Sequence, residues 1–107
     1  MTKVYDVYGF GLMDLDSAML LARKALGLEF VLHESDYRGV YYRHGTAGPE
    51  NFIIQKNYDS FEDEWTDEKH QEHIVLLYVN ETPRADELRS MLLHRVEGIK
   101  HLQRRSF

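Results

Sequence analysis

The chain has 107 residues, 43% hydrophobic and 29% charged, enough to build one core and too apolar for a disordered polymer. It contains no cysteine, which excludes a disulfide framework and a thiolate metal site and suits a reducing compartment. Its formal charge of −5 argues against direct binding of nucleic acid, whose phosphates attract a basic surface.

In chain order, the first predicted element is a strand from Lys3 to Leu12, with Val4, Tyr8, Phe10 and Leu12 at alternating positions. Asp6 interrupts that apolar face and is expected near an edge or end of the sheet. Gly9-Phe10-Gly11 lacks the third glycine of a dinucleotide-binding loop and instead marks a bulge or a close backbone approach. Asp14 or Asp16 then caps a helix running to Leu26, whose apolar stripe is Leu15, Met19, Ala22 and Leu26. Gly27 stands where a left-handed cap would end it.

Three strands follow, Glu29–Glu34, Gly39–His44 and Asn51–Asn57, separated by the turn signals Ser35–Gly39 and Thr46–Pro49. Such short spacings favour antiparallel neighbours. Ile74–Val79 is continuously apolar, as a central strand buried on both faces requires. Thr82 reads as an N-cap with Pro83 at the first helical position, and Asp86 and Glu87 near the positive end of the dipole. Leu88, Met91, Leu92, Val96, Ile99 and Leu102 extend one apolar face, so the helix is predicted to reach Leu102. Gly98 would weaken it by ~1 kcal/mol relative to alanine, or marks close packing on the sheet. The order is β-α-β-β-β-β-α: a single α+β domain over residues 1–107, with an antiparallel sheet of four to five strands and both helices on one face.

Asp59–Glu72 holds seven carboxylates and one lysine, a formal −6 against −5 for the whole chain, so the remainder carries +1. All the acidity is local. A solvated loop would explain the charge alone, but Phe61 and Trp65 sit inside the run. They either pin the loop to its own domain or anchor a protein interface. Asp59, Glu62, Asp63, Glu64, Asp67 and Glu68 would then steer and pair a basic partner.

His70 and His73 are three apart beside Glu68 and Glu72, a spacing that could begin a zinc or nickel site, yet no further ligand is placed. His33, Glu34 and His44 flank the turn near Tyr37 and could supply an acid–base pair, without a nucleophile or phosphate loop to accompany them. No catalytic set, metal or cofactor is therefore expected. The basic end, Lys100 to Arg105, is explained as the negative end of a helix.

Tyr8-Gly9-Phe10-Gly11-Leu12, His33 to Tyr42, Glu50-Asn51-Phe52, Asn57-Tyr58-Asp59, the acidic run and Leu76 to Asn80 together form a pattern. Across residues 3–93 the chain resembles the immunity proteins of bacterial contact-dependent growth inhibition and related polymorphic toxin systems. The resemblance implies a cytoplasmic protein without activity of its own, which binds one cognate toxin domain, often a nuclease, and blocks its active site or substrate surface. It adds the turn from Glu34 to Tyr42, with Asp36, Tyr37 and Tyr41, to the acidic run as a candidate contact surface. The N-terminal residues lack a secretory signal and no apolar run approaches the roughly 18 residues of a membrane span, which fits the cytoplasm. The rival expectations are a small-molecule-sensing or dimerising α+β domain with a pocket among Tyr5, Tyr8, Tyr41 and Tyr78, and a metal enzyme built on His70 and His73.

Overall fold

The structure, a computed structural model, describes residues 3–36, 39–46, 48–59 and 63–106. The strands are β1 (Val4–Gly9), β2 (Val31–Ser35), β3 (Gly39–His44), β4 (Asn51–Lys56), β5 (Tyr58–Asp59), β6 (Glu64–Trp65), β7 (Val75–Thr82) and β8 (Lys100–Ser106). The helices are α1 (Leu15–Leu26) and α2 (Ala85–Arg95), with a 3₁₀ turn at Glu68–His70. Six strands form one antiparallel sheet in the order β2-β3-β4-β7-β1-β8, and β5 and β6 pair separately as a small hairpin. The α+β class, the two helices and the antiparallel sheet agree with the sequence. The strand count of four to five and the β-α-β-β-β-β-α order do not.

The registers sort the side chains between the two faces. Tyr8 lies opposite Leu77, Ile54 opposite Leu77, and Phe52 opposite Val79, so these residues share one face. They are fully buried together with Ala18 and Ala22 of α1 and Leu88 and Leu92 of α2. Both helices therefore cover the same side of the sheet, as predicted. β7 lies between β4 and β1, and Val75, Leu76, Leu77 and Val79 are at most 1% exposed, as its continuous apolar sequence requires.

The caps of α1 follow from local chemistry. Asp14, rather than Asp16, accepts the Ser17 N–H at 2.7 Å, which holds its carboxyl below the usual aspartate range. Gly27 adopts the left-handed conformation (φ 67°) and its N–H reaches the Arg23 carbonyl. At α2 the cap differs from expectation. Thr82 ends β7, fully buried, and its hydroxyl accepts the Arg84 N–H while donating to Glu50 Oε2 at 2.6 Å. The helix starts at Ala85, not at Pro83.

The largest correction lies at the end of the chain. α2 stops at Arg95, Gly98 turns the backbone with φ 80°, and residues 100–106 return as β8 beside β1. Val96 and Ile99 are still buried, but in the turn and not on a helix, so their spacing imitates one more helical turn. The basic residues thus line a sheet edge and are not the end of a helix.

That strand also explains Asp6, which lies near an edge of the sheet as expected, one strand in from β8, yet is covered. β1 lies between β7 and β8, and Asp6 is 1% exposed. Its two carboxylate oxygens accept from Arg104 Nε and Nη2 at 2.9 and 3.0 Å. The third nitrogen of that guanidinium bonds Asp86 on α2 at 2.8 Å. His101 Nε2 lies 3.1 Å from Asp6, an electrostatic contact without hydrogen-bond alignment. Burial, with the Asp6 charge beside it, raises the Tyr8 phenol well above its ordinary value.

Two carboxylates brace the start of β4 and the end of β7. Glu50 takes a bidentate bond from Arg84, and Glu81 accepts the Gly48 N–H at 2.6 Å. Hydrogen bonding to Arg84 and to Gly48 respectively lowers both carboxyls below the ordinary value of 4.5.

Replacing Arg104 with methionine leaves Asp6 charged and buried without its partner, and is expected to cost about 3 kcal/mol in urea unfolding. The double variant Asp6→Asn/Arg104→Met should lose less than Arg104→Met alone. A second expectation concerns acid. Glu50 and Glu81 bind protons more readily in the unfolded chain, so their stabilisation is complete above about pH 4.5 and is lost as pH falls through the lowered native values. Urea midpoints measured from pH 6 to pH 3 should fall across that window, less steeply in Glu50→Gln.

Candidate acidic interface

The acidic run folds against the helix-free face of the sheet. Tyr58 and Asp59 turn back through β6, where Tyr58 pairs with Trp65 and their rings meet edge to face at 5.4 Å. Trp65 is half-buried and Tyr58 is exposed by 38%, so the pair is partly anchored and partly presented. A cleft of about 490 Å³ separates Thr66–Lys69 from Val7, Tyr78 and Gln103 of the sheet.

Asn57 holds this segment in place. Its side chain is fully buried, and its amide nitrogen donates to the carbonyls of Asp67, His70 and His73 at 3.3, 3.0 and 2.9 Å. Its carbonyl oxygen accepts the Asp67 N–H at 2.7 Å. The Asn57 main chain adds bonds to Ile74 and Thr66. A single amide thus bonds main-chain groups across the whole return of the loop, adding to the turn bonds that the Asp67 and His70 carbonyls accept from His70 and His73.

His73 closes the segment. It is 4% exposed and its Nδ1 donates to the Phe10 carbonyl at 2.6 Å, so Nε2 carries no proton in the neutral ring. Gly9 lies flat on this imidazole: a Cβ there would stand 2.4 Å from His73 Cγ. The close backbone approach expected at Gly9-Phe10-Gly11 is present at Gly9.

The candidate contact residues fall into two groups. Asp63, Glu64 and Glu68 are exposed on the hairpin and the following turn, with no ion pair among the described residues. Asp67 is different: its carboxylate accepts the Lys69 N–H and contacts His70 Nδ1 at 2.8 Å, so it shapes the turn. Phe61, Glu62 and Tyr37 lie outside the described residues, as does the side chain of Asp59. Asp36 is exposed at the β2–β3 turn, and Tyr41 stacks on His33 at 5.4 Å. Those two belong to the other end of the sheet, with β4 between them and the strands under the acidic segment.

The alternative chemistries are not assembled. His33 stacks on Tyr41 on the helix-free face, whereas His44 is opposite Phe52 on the helix face, with Nδ1 2.7 Å from the Glu29 carbonyl. His70 and His73 each turn Nδ1 to a different protein oxygen, and the described residues contain no group of three or more potential metal ligands. The four tyrosines also separate: Tyr8 is buried under the helices, Tyr5 and Tyr78 line a cleft of about 550 Å³ on the opposite face, and Tyr41 lies on β3. Sequence reasoning missed Asn57 and the Asp6–Arg104 pair. The interruption of an apolar strand by Asp6 was the available signal for a buried ionic partner, whereas nothing in the sequence around Asn57 marks it.

No protein-family model matches the chain, and no curated protein matches it.

Substituting Asn57 tests the staple. Asn57→Asp places a carboxylate against three carbonyl oxygens and is expected to destabilise the fold by about 2–4 kcal/mol, more than Asn57→Ala. Amide hydrogen exchange across residues 66–73 should accelerate in both variants more than exchange in β4 or β7.

Proposed function

We propose that this chain is a cytoplasmic immunity protein that binds a cognate toxin domain, a basic nuclease, and neutralises it by covering its active site or substrate surface. The observation that carries this reading is the presentation of Asp63, Glu64 and Glu68 around the Tyr58–Trp65 pair, on a segment held by Asn57. Carboxylates on a fixed frame lose little conformational entropy on binding, and they steer a cationic partner from a distance. The aromatic pair supplies apolar area at the centre of the charge, the composition of a protein-binding patch. The resemblance to growth-inhibition immunity proteins points the same way, and a protein that acts by occlusion needs no catalytic residues.

The cleft lined by Tyr5, Val7, Tyr78, Asn80 and Arg105 supports a second reading, a small-molecule-sensing domain. Ligand-dependent melting that is lost in Tyr78→Ala would favour it over the first.

The partner to use is a basic toxin domain, sought first in the gene immediately upstream. It should form a tight complex whose affinity falls steeply with salt. Reversing Asp63, Glu64 and Glu68 to lysine should weaken binding by about 2–5 kcal/mol if these pairs are desolvated, with the melting curve of the free protein unchanged. Unaltered affinity in the triple variant would remove the acidic hairpin as the contact surface.

A further inference from the structure

The two edges of the main sheet are built differently. β8 carries Lys100, Arg104 and Arg105 and is interrupted by a bulge opposite Val7 and Tyr8, devices that discourage another strand from adding. β2 has none of them. It pairs only with β3, in unbroken register from Val31 to Ser35, and contains no proline, lysine or arginine. The helices lie mainly against other strands, α1 on β4 and α2 on β1, and α1 reaches β3 through the bond between Asp16 and Tyr42.

The side chains along this edge match an extended ligand. Val31 and Leu32 are 59% and 56% exposed, one on each face of β2. On the helix side, Leu32 is directly opposite Tyr42, whose hydroxyl donates to Asp16 of α1 at 2.6 Å. Val40 shares that face of β3 and is exposed, so Leu32 and Val40 leave apolar surface beside the open edge. Glu29, Glu34 and Asp36 are exposed and residues 29–36 include no lysine or arginine, so the edge strand itself is acidic, while Arg43 of β3 stands opposite Val31 at its far end.

We propose that β2 is a strand-addition site that takes an extended basic segment of the partner protein, its cationic side chains meeting Glu34 and Asp36 and its alternate, apolar side chains lying beside Val31 on the other face. Main-chain bonds supply the affinity in this mode, and the alternating side chains supply the selection. A second copy of this chain pairing β2 with β2 would bring the acidic residues of two edges together, so charge favours a cationic strand. The inference rests on the reading of the chain as a protein binder, but it concerns a surface separate from the acidic hairpin.

The probe is a fluorescent peptide of about 10 residues alternating lysine and valine, with a glutamate–valine peptide of the same pattern as control. The lysine–valine peptide should slow amide exchange in residues 31–34, and the control should not. Glu34→Lys/Asp36→Lys should weaken its binding by about tenfold or more, while Asp63→Lys/Glu64→Lys/Glu68→Lys leaves it nearly unchanged. Protection located elsewhere, equal binding of both peptides, or equal loss in the hairpin variant overturns the proposal. So does sedimentation of the free protein as an oligomer that Leu32→Lys dissociates. Toxin binding by the hairpin variant is a separate measurement, so failure of this edge and failure of the hairpin reading remain distinguishable.

Discussion

The buried carboxylate of Asp6 is the constraint on which the architecture turns. A charge buried inside a sheet is tolerable only with a matched counter-charge and filled lone pairs. Arg104 supplies both, and its remaining nitrogen reaches Asp86, so one guanidinium joins β1, β8 and α2. An apolar pair could fill the same space. The ionic pair does something else: Arg104 must meet Asp6, so β8 cannot slip in register without stranding a charge. With β8 fixed on one side and β7 on the other, β1 carries Tyr8 into the core and Gly9 against His73.

From that frame the acidic segment inherits its shape. Asn57 follows β4 directly and His73 precedes β7, so the ends of the loop are set by two central strands already paired to one another. Among the described residues between them, none belongs to the buried core. They are tied down by hydrogen bonds to a buried amide and by the Tyr58–Trp65 contact. Such an arrangement leaves Asp63, Glu64 and Glu68 outside the network, whereas Asp67 is committed to Lys69 and His70 and Glu72 lies 3.7 Å from His73.

How far the sequence foretold this depends on the range of each interaction. α1 was legible at both ends because Asp14 and Gly27 act within a few residues of themselves. β7 was legible because a strand covered on both faces has to be apolar throughout. β8 was not: it is a polar edge strand, and Val96 and Ile99 continue the spacing of α2 by serving the same core from a turn. The burial of Asp6 was not legible because its partner lies 98 residues away. The acidic run was visible as charge, whereas the role of Asn57 was invisible, since its partners are main-chain carbonyls that every residue carries. The hairpin of β5 and β6 is too short to show any periodicity.

The pairing of β1 with β8 also bears on the order in which the molecule folds. Closing a loop of 98 residues costs about 4 kcal/mol of chain entropy beyond a constant term, whereas the Asn57 bonds close loops of only 10 to 16 residues. A chain emerging from the ribosome can therefore bring β4, the acidic segment and β7 together while β1 still waits for its second neighbour. During that interval Asp6 has no arginine, and the edge of β1 lies open to any strand that reaches it. Pairing with β8 thus removes the edge of β1 at the same moment as it neutralises the Asp6 charge.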